Sequence, residues 1–310
     1  MRVLITGAAG FVGRHLISEL LAHGHDVVPA SNSSAPPEDG LAWQIFDIRD
    51  RRAVLDALDL SKPDAVVHLA AQASVPMSWE DPAQTFTTNV VGTSNVVTSL
   101  ADGVRLLLVG SAQVYGDLDP GRPLLETDDL QPLSPYAVSK AAQEAIGVMY
   151  SKERGSQIVM TRSFNHMGPG QSADYVVGRF ASQLASLDPD GGVLHVGRLD
   201  AVRDFLDVRD VVRAYRLLVE DGPSGEIYNV CSGSGVEIRE VLRRLLEAAG
   251  LTGLVEVEED SDPRPGDPSK LIGDNSKLCA AVGWEARFSL DDSLRETLEW
   301  NRSATKGKVG

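Results

Sequence analysis

Tyr136 and Lys140 stand four residues apart in Tyr136-Ala137-Val138-Ser139-Lys140. On a helix that spacing puts a phenol and an ammonium on one face. A tyrosine ordinarily ionises near pH 10, and a neighbouring cation lowers that value by favouring the phenolate. Such a pair can exchange a proton with an alcohol or sugar oxygen near neutral pH. Ser111, 25 residues before Tyr136, closes the apolar run Leu106-Leu107-Leu108-Val109. A hydroxyl at a strand end can bond the same oxygen, and strand ends carry site residues in parallel sheets. The candidate catalytic residues are therefore Ser111, Tyr136 and Lys140. Tyrosine and lysine at this spacing are common in helices by accident, so the constellation needs a second signal.

That signal is Gly7-Ala8-Ala9-Gly10-Phe11-Val12-Gly13, in the first strand-to-helix turn of the chain. Glycines allow a tight turn and close approach of backbone to a pyrophosphate, while the helix N-terminus offers free N–H groups and a favourable dipole. Gly7, Gly10, Phe11, Val12 and Gly13 are accordingly candidate dinucleotide ligands. The second strand ends at Ser31-Asn32, where an acidic residue would meet a free ribose 2′-hydroxyl. No carboxylate is there to repel a 2′-phosphate, and Ser31, Asn32, Ser33 and Arg14 could receive one. NADP(H) is favoured and NAD(H) possible; the bland reading is a serine-rich loop indifferent to both. Asp47-Ile48, after the third strand, stand where side chains could meet an adenine ring, unless Asp47 is an ordinary strand-end aspartate.

Positioning these residues requires short apolar strands alternating with helices. Runs at 2–6, 26–30, 65–70, 105–109 and 157–163 read as strands, and 14–23, 84–100 and 136–153 as helices. That alternation predicts an α/β chain with a doubly wound parallel sheet covered on both faces. Beyond about residue 165 the alternation fails, although 210–220 and 238–248 still read as helices. At roughly 100–200 residues per domain, 310 residues suggest two units. The expected division is 1–165 with 204–230 returning to it, a smaller unit from 166–203 and 231–301, and a polar tail at 302–310.

The charge balance is 29 basic against 44 acidic residues, a net −15. So acidic a surface repels phosphate backbones and anionic lipid, and predicts neither nucleic-acid nor membrane binding. Cys231 and Cys279 stand far apart with no clustered histidine. They suggest neither a disulfide framework nor a metal site, and fit a reducing cytoplasm. No signal peptide or membrane helix is expected.

The glycine loop, Asp47-Ile48, His68-Leu69-Ala70-Ala71, Asn89, Ser111-Ala112-Gln113-Val114-Tyr115-Gly116 and the Tyr136–Lys140 pair together resemble the extended short-chain dehydrogenases/reductases that act on nucleotide sugars. Three further stretches sharpen the resemblance: Ser163-Phe164-Asn165-His166-Met167-Gly168-Pro169-Gly170-Gln171, then 200–212, then 271–278 with Gly283-Trp284. These are similar to the GDP-4-keto-6-deoxy-mannose reductases, relatives of the GDP-mannose 4,6-dehydratases. The resemblance implies a Rossmann domain, a smaller domain for a nucleotide-diphosphate sugar, and a homodimer through helices near 84–100 and 136–153. It adds Leu69, Ala70 and Ala71 to the cofactor site, with Tyr136 and Lys140 also facing the cofactor. It implies substrate contacts from Asn165, Arg179, Arg203 and Arg264, the arginines pairing diphosphate oxygens. For any one arginine in an acidic protein, a surface ion pair is the plain alternative. His166 reads as a loop anchor.

A 4,6-dehydratase also removes water across C5 and C6, and the resemblance implies a Glu two residues after the strand-end hydroxyl. Here Ala112 and Gln113 occupy those positions, and an amide cannot take up a proton as a carboxylate does. A 4-epimerase usually has an acidic residue where Ser31 stands. The expected activity is NADPH-dependent reduction of the C4 keto group, giving GDP-D-rhamnose or its C4 epimer. A 4-epimerase or GDP-mannose 4,6-dehydratase is the alternative, and a noncatalytic NADP-binding sensor a distant one.

Overall fold

Apolar runs without polar alternation form strands covered on both faces, and the first-half strands follow that rule. The computed structural model describes residues 1–32, 40–119, 121–260 and 266–306. In chain order its strands are β1 (Arg2–Thr6), β2 (Asp26–Ser31), β3 (Gln44–Ile45), β4 (Ala65–His68), β5 (Arg105–Ser111), β6 (Ile158–Ser163), β7 (Asn165–Met167), β8 (Gly192–Val196), β9 (Val202–Asp207), β10 (Ile227–Val230), β11 (Gly235–Glu237), β12 (Val255–Glu259) and β13 (Lys270–Leu271). The helices are α1 (Phe11–Ala22), α2 (Arg51–Ser61), α3 (Val75–Glu80), α4 (Pro82–Phe86), α5 (Gly92–Ser99), α6 (Pro135–Arg154), α7 (Val176–Ser186), α8 (Val208–Asp221), α9 (Ile238–Ala249), α10 (Ser276–Val282) and α11 (Leu290–Lys306).

Seven strands form one sheet in the order β10-β6-β5-β4-β1-β2-β3, with parallel pairing throughout. Strand side chains alternate between its two cores. Val3, Ile5 and Leu107 join Leu16, Leu20, Val211 and Leu218 of α1 and α8. Leu4, Leu106 and Leu108 join Val54, Leu58, Val96 and Val97 of α2 and α5 on the other face. This is the α/β, Rossmann-like doubly wound sheet that the sequence predicts. The strand order runs outward in both directions from β1 and β4, so the crevice for a ligand opens at their carboxyl ends.

A smaller α/β part surrounds β9, which pairs with β11, β13 and β7. The parallel pair β8·β12 stands beside it. Phe180, Leu184, Leu194, Val241, Leu245, Leu294 and Leu298 make its core. β9 runs directly into α8, which packs on the large sheet, and β10 then completes that sheet.

Two expectations need correction. The helix expected at 84–100 is three pieces: α4, a π-helical turn at Thr87–Val91, and α5. The wide turn contains Asn89, whose side chain bonds the Gln72 backbone at both N (2.8 Å) and O (3.0 Å), drawing the helix toward the end of β4. The tail expected from residue 302 is helical through 306. Asn301 is buried and Arg302 Nη2 donates to Ala249 O at 2.9 Å, so the last turns are docked on α9.

Candidate active site

The loops after β1, β4 and β5 lie together at the carboxyl ends of three adjacent strands. Gly7 turns with φ +72°, and a Cβ there would sit 2.7 Å from Ala70 N, so the glycine loop lies against the 69–71 segment. Thr6 cements that contact: its O accepts from Leu69 N at 3.2 Å and its Oγ1 from Ala70 N at 3.3 Å. Gly13 lets α1 approach the strand, since a Cβ there would strike Ala8 O at 2.5 Å. Gly10 begins α1 with no side-chain cap, and the nearest atom to a Cβ there is Gly7 O at 3.3 Å. These residues fit a dinucleotide: the helix N-terminus keeps its N–H groups free of any side-chain cap, and a larger residue at position 10 would fill the cradle above them. Phe11 stacks on His166 (centroids 6.2 Å apart) and meets His15 edge-on, while His15 Nε2 bonds Pro169 O at 2.9 Å. The glycine loop and the 166–170 loop therefore share one aromatic contact, and His166 is part of it.

Ser31 is buried at the end of β2 and Asn32 is exposed beside it. Ser33 and Arg264 lie outside the described residues. Asp47 is gripped by Arg49, with Nε–Oδ2 at 2.9 Å and Nη2–Oδ2 at 2.6 Å, which holds its carboxyl below the usual range. Ile48 is buried beneath it.

Ser111, last residue of β5, lies close enough to Tyr136, in the first turn of α6, to favour its phenolate. Ser134 starts that helix by accepting from Ala137 N at 3.1 Å, and Pro135 fixes its first turn. Lys140 Nζ donates to Val109 O (2.9 Å) and to Gln143 Oε1 (3.0 Å), while Gln143 Nε2 also donates to Val109 O at 3.1 Å. The expectation that Lys140 depresses the phenol is corrected. Burial pushes Tyr136 up to about 12, with Ser111 pulling the other way. Burial also brings the Lys140 ammonium down to about 8, so desolvation sets the direction at both groups.

A buried polar chain braces the pair from below. His68 bonds Thr6 Oγ1 through Nδ1 (2.7 Å) and Thr93 Oγ1 through Nε2 (3.1 Å), and Thr93 donates to Asn89 O at 2.6 Å. Asn89 Nδ2 reaches Ser139 Oγ at 2.9 Å, between Tyr136 and Lys140 on α6. Burial, then the charge of Lys140, hold His68 near a pKa of about 3, so it is a neutral brace. Sequence reasoning assigned no role to Gln143 or His68; Gln143 is three residues past Lys140 on the same face, which could have shown it.

The substrate candidates are spread. Asn165 is half-buried on β7, opposite Phe205. Arg179 is half-buried on α7, and its Nε donates to Ala173 O at 3.2 Å. Arg203, expected to pair diphosphate oxygens with a surface ion pair as the plain alternative, stands in a buried ion pair with Asp267. It is buried and engaged by Asp267 Oδ1 (2.5 Å), Pro268 O (2.5 Å) and Val202 O (2.9 Å). A buried cation requires such partners, and these tie the 266–269 segment to β9. Among the described residues no cluster of three or more His, Cys, Asp or Glu side chains could hold a metal.

A switch-point parallel sheet with a glycine loop after its first strand and a Ser–Tyr–Lys set on β5 and α6 defines an NAD(P)-dependent enzyme of the short-chain dehydrogenase/reductase class. Residues 4–297 match the family model of GDP-mannose 4,6 dehydratase, and the chain belongs to that family. A GDP-6-deoxy-D-mannose reductase of Pseudomonas aeruginosa is 35% identical, aligned over 96% of this chain and 97% of its own. The structure of RMD from Pseudomonas aeruginosa complexed with NADPH is similar with a TM-score of 0.84 and 34% identity, covering 98% of this chain and 99% of that one. A Thermus thermophilus UDP-glucose 4-epimerase in complex with NAD reaches 0.89 at 34% identity, covering 98% and 100%. Backbone likeness is thus shared by reductases and epimerases, and the side chains must separate them.

Proposed function

We propose that the protein reduces the C4 keto group of a nucleotide-linked 4-keto-6-deoxy sugar, with GDP-4-keto-6-deoxy-D-mannose as substrate and NADPH as reductant. The observation that carries this reading is the Ser111–Tyr136–Lys140 set with Gln113, an amide, beside it. A proton donor and an orienting hydroxyl are present, and the base that dehydration would need is not. Reduced nicotinamide, when bound, supplies the hydride. Tyr136, neutral through the physiological range, donates its proton to the C4 oxygen as negative charge develops there. Ser111 hydrogen-bonds the same oxygen and fixes its distance from the phenol. Lys140 holds a positive charge behind the phenol and faces the nicotinamide ribose. Gly7, Gly10, Phe11, Val12 and Gly13 cradle the pyrophosphate, with Asp47, Ile48, Leu69, Ala70 and Ala71 along the adenosine and nicotinamide sides. Ser31 and Asn32, in place of a carboxylate, favour the 2′-phosphate of NADP(H). Asn165 and Arg179 are proposed substrate contacts, and the smaller part around β9 is the nucleotide-sugar unit.

A homodimer through α5 and α6 accompanies this reading. Val91, Val138 and Met149, on or beside those helices, are large apolar side chains exposed to solvent. No helix among the described residues is long and apolar enough to cross a membrane. The two free cysteines accord with a reducing cytoplasm.

The epimerase is the second reading, favoured by the Thermus thermophilus likeness. The deciding experiment incubates the protein with GDP-4-keto-6-deoxy-mannose and NADPH, follows loss of NADPH absorbance and identifies the sugar by NMR. Stoichiometric oxidation with a 6-deoxy sugar product supports reduction. Interconversion of C4 epimers without net NADPH consumption overturns it.

A further inference from the structure

Tyr215 is a phenol set among Val3, Ile5, Leu107, Val159 and Leu218 in the core between α8 and the large sheet. A buried hydroxyl needs a partner, and this one shares a 2.6 Å hydrogen bond with Ser163 Oγ. Thr161 Oγ1 lies 3.3 Å from the same Ser163 oxygen. Ser163 ends β6, and its register partner across the parallel ladder is Ser111, which ends β5. Ser111 in turn lies beside Tyr136, whose phenolate it favours. Neighbouring strand ends thus set Ser163, hydrogen-bonded to Tyr215 behind it, beside Ser111, which faces Tyr136 in front.

The origin of Tyr215 gives the arrangement a further use. α8 continues β9 without a loop, and Asp207 at the junction caps α8 through Arg209 N (2.8 Å) while accepting from Ser293 Oγ of α11 (2.6 Å). The helix that carries Tyr215 is therefore rooted in the smaller part of the molecule and reaches the sheet beneath the catalytic pair.

We propose that Tyr215 is a positioning residue which, acting through Ser163, holds the end of β5 so that Ser111 keeps its place opposite Tyr136. Seating of the β9 sheet is thereby transmitted to the oxygen being protonated. The proposal rests on the reading of Ser111 and Tyr136 as the reacting pair.

The test compares Tyr215→Phe, Ser163→Ala and the double variant in the NADP-bound enzyme, with the phenol carbon of tyrosine labelled for NMR. The Tyr136 resonance is assigned by its loss in Tyr136→Phe. Expected for Tyr215→Phe are an unchanged KM, a kcat lower by about tenfold, as for a modest misplacement of a reacting group, and a displaced Tyr136 resonance. Ser163→Ala should give the same pattern, and the double variant should be no worse than either single one, because both act along one path. A wild-type kcat with an unmoved Tyr136 resonance in Tyr215→Phe overturns the proposal, as do losses that multiply in the double variant. Should Tyr215→Phe fail to fold, Ser163→Ala alone decides by the same two readouts. If the unmodified enzyme reduces no 4-keto sugar, the functional reading fails, while the Tyr136 resonance still decides the positioning role.

Discussion

Arg162 on β6 and Glu144 on α6 meet in a two-pronged pair, Nε to Oε2 at 2.8 Å and Nη2 to Oε1 at 2.8 Å. The remaining nitrogen of Arg162 donates to Tyr115 Oη (2.8 Å) and Glu126 O (3.0 Å). Tyr115 donates onward to Asn229 Oδ1 at 2.8 Å. One nearly buried guanidinium therefore joins α6, the turn after Ser111 and the strand β10. Removing one partner leaves a buried charge without its counterion. Glu144→Gln should cost about 3–5 kcal/mol of unfolding free energy, measured by denaturant titration. A variant as stable as the parent would show that the pair is dispensable.

Tyr136→Phe removes the proton donor and little else, since the ring stays packed. Loss of a positioned general acid lowers kcat by roughly 10²–10⁴-fold. NADPH affinity and melting temperature should remain near the parent values. Turnover within a few-fold of the parent would reassign the proton to another group.

The pH dependence of turnover should be set by Lys140 rather than by Tyr136. Burial brings the ammonium down to about 8 and pushes the phenol up to about 12. The positive charge of Lys140, one helical turn beyond Tyr136 on α6, is lost as pH rises through about 8, so kcat should decline above that point while the protein stays folded. Stability runs the other way. The unfolded chain keeps this lysine protonated to about pH 10.4, so between about 8 and that value the unfolded state binds more protons, and the cost of burying the Lys140 charge is progressively relieved as pH rises. Lys140→Met should abolish both trends, in a kcat–pH profile and in denaturation midpoints over the same range.

Gln113 has a buried side-chain amide oxygen with no hydrogen-bond partner, and its backbone N–H donates to Ser111 Oγ at 3.3 Å. An amide there leaves the acidic proton at C5 of a 4-keto sugar untouched. The parent enzyme should not exchange that proton with D2O, and Gln113→Glu should exchange it slowly, read by NMR of recovered substrate. Reductase turnover should fall at the same time, because a buried carboxylate opposes charge developing on the C4 oxygen. Rapid exchange by the parent enzyme would return the dehydratase reading to contention.

Much of this molecule is legible along the chain because it rests on local rules. Apolar runs without alternation announce a parallel sheet, the glycines at 7 and 13 are forced by a left-handed φ and by contact with Ala70 and Ala8, and the four-residue interval from Tyr136 to Lys140 is a helix face. The π turn at Asn89 was hidden because its cause is a pair of bonds to Gln72, 17 residues away. The engagement of Arg203 was hidden likewise, its partner Asp267 lying 64 residues off.

The sequence by itself determined which chemical groups are available and which strand ends carry them: a phenol, an ammonium and a hydroxyl, with an amide where a base would stand. Only the tertiary structure decided how those groups behave. Burial raises Tyr136 and lowers Lys140 against the simple charge argument, and Tyr215 enters from a helix begun on another sheet. Desolvation and long-range contact depend on what packs around a residue, and residue order alone does not contain that.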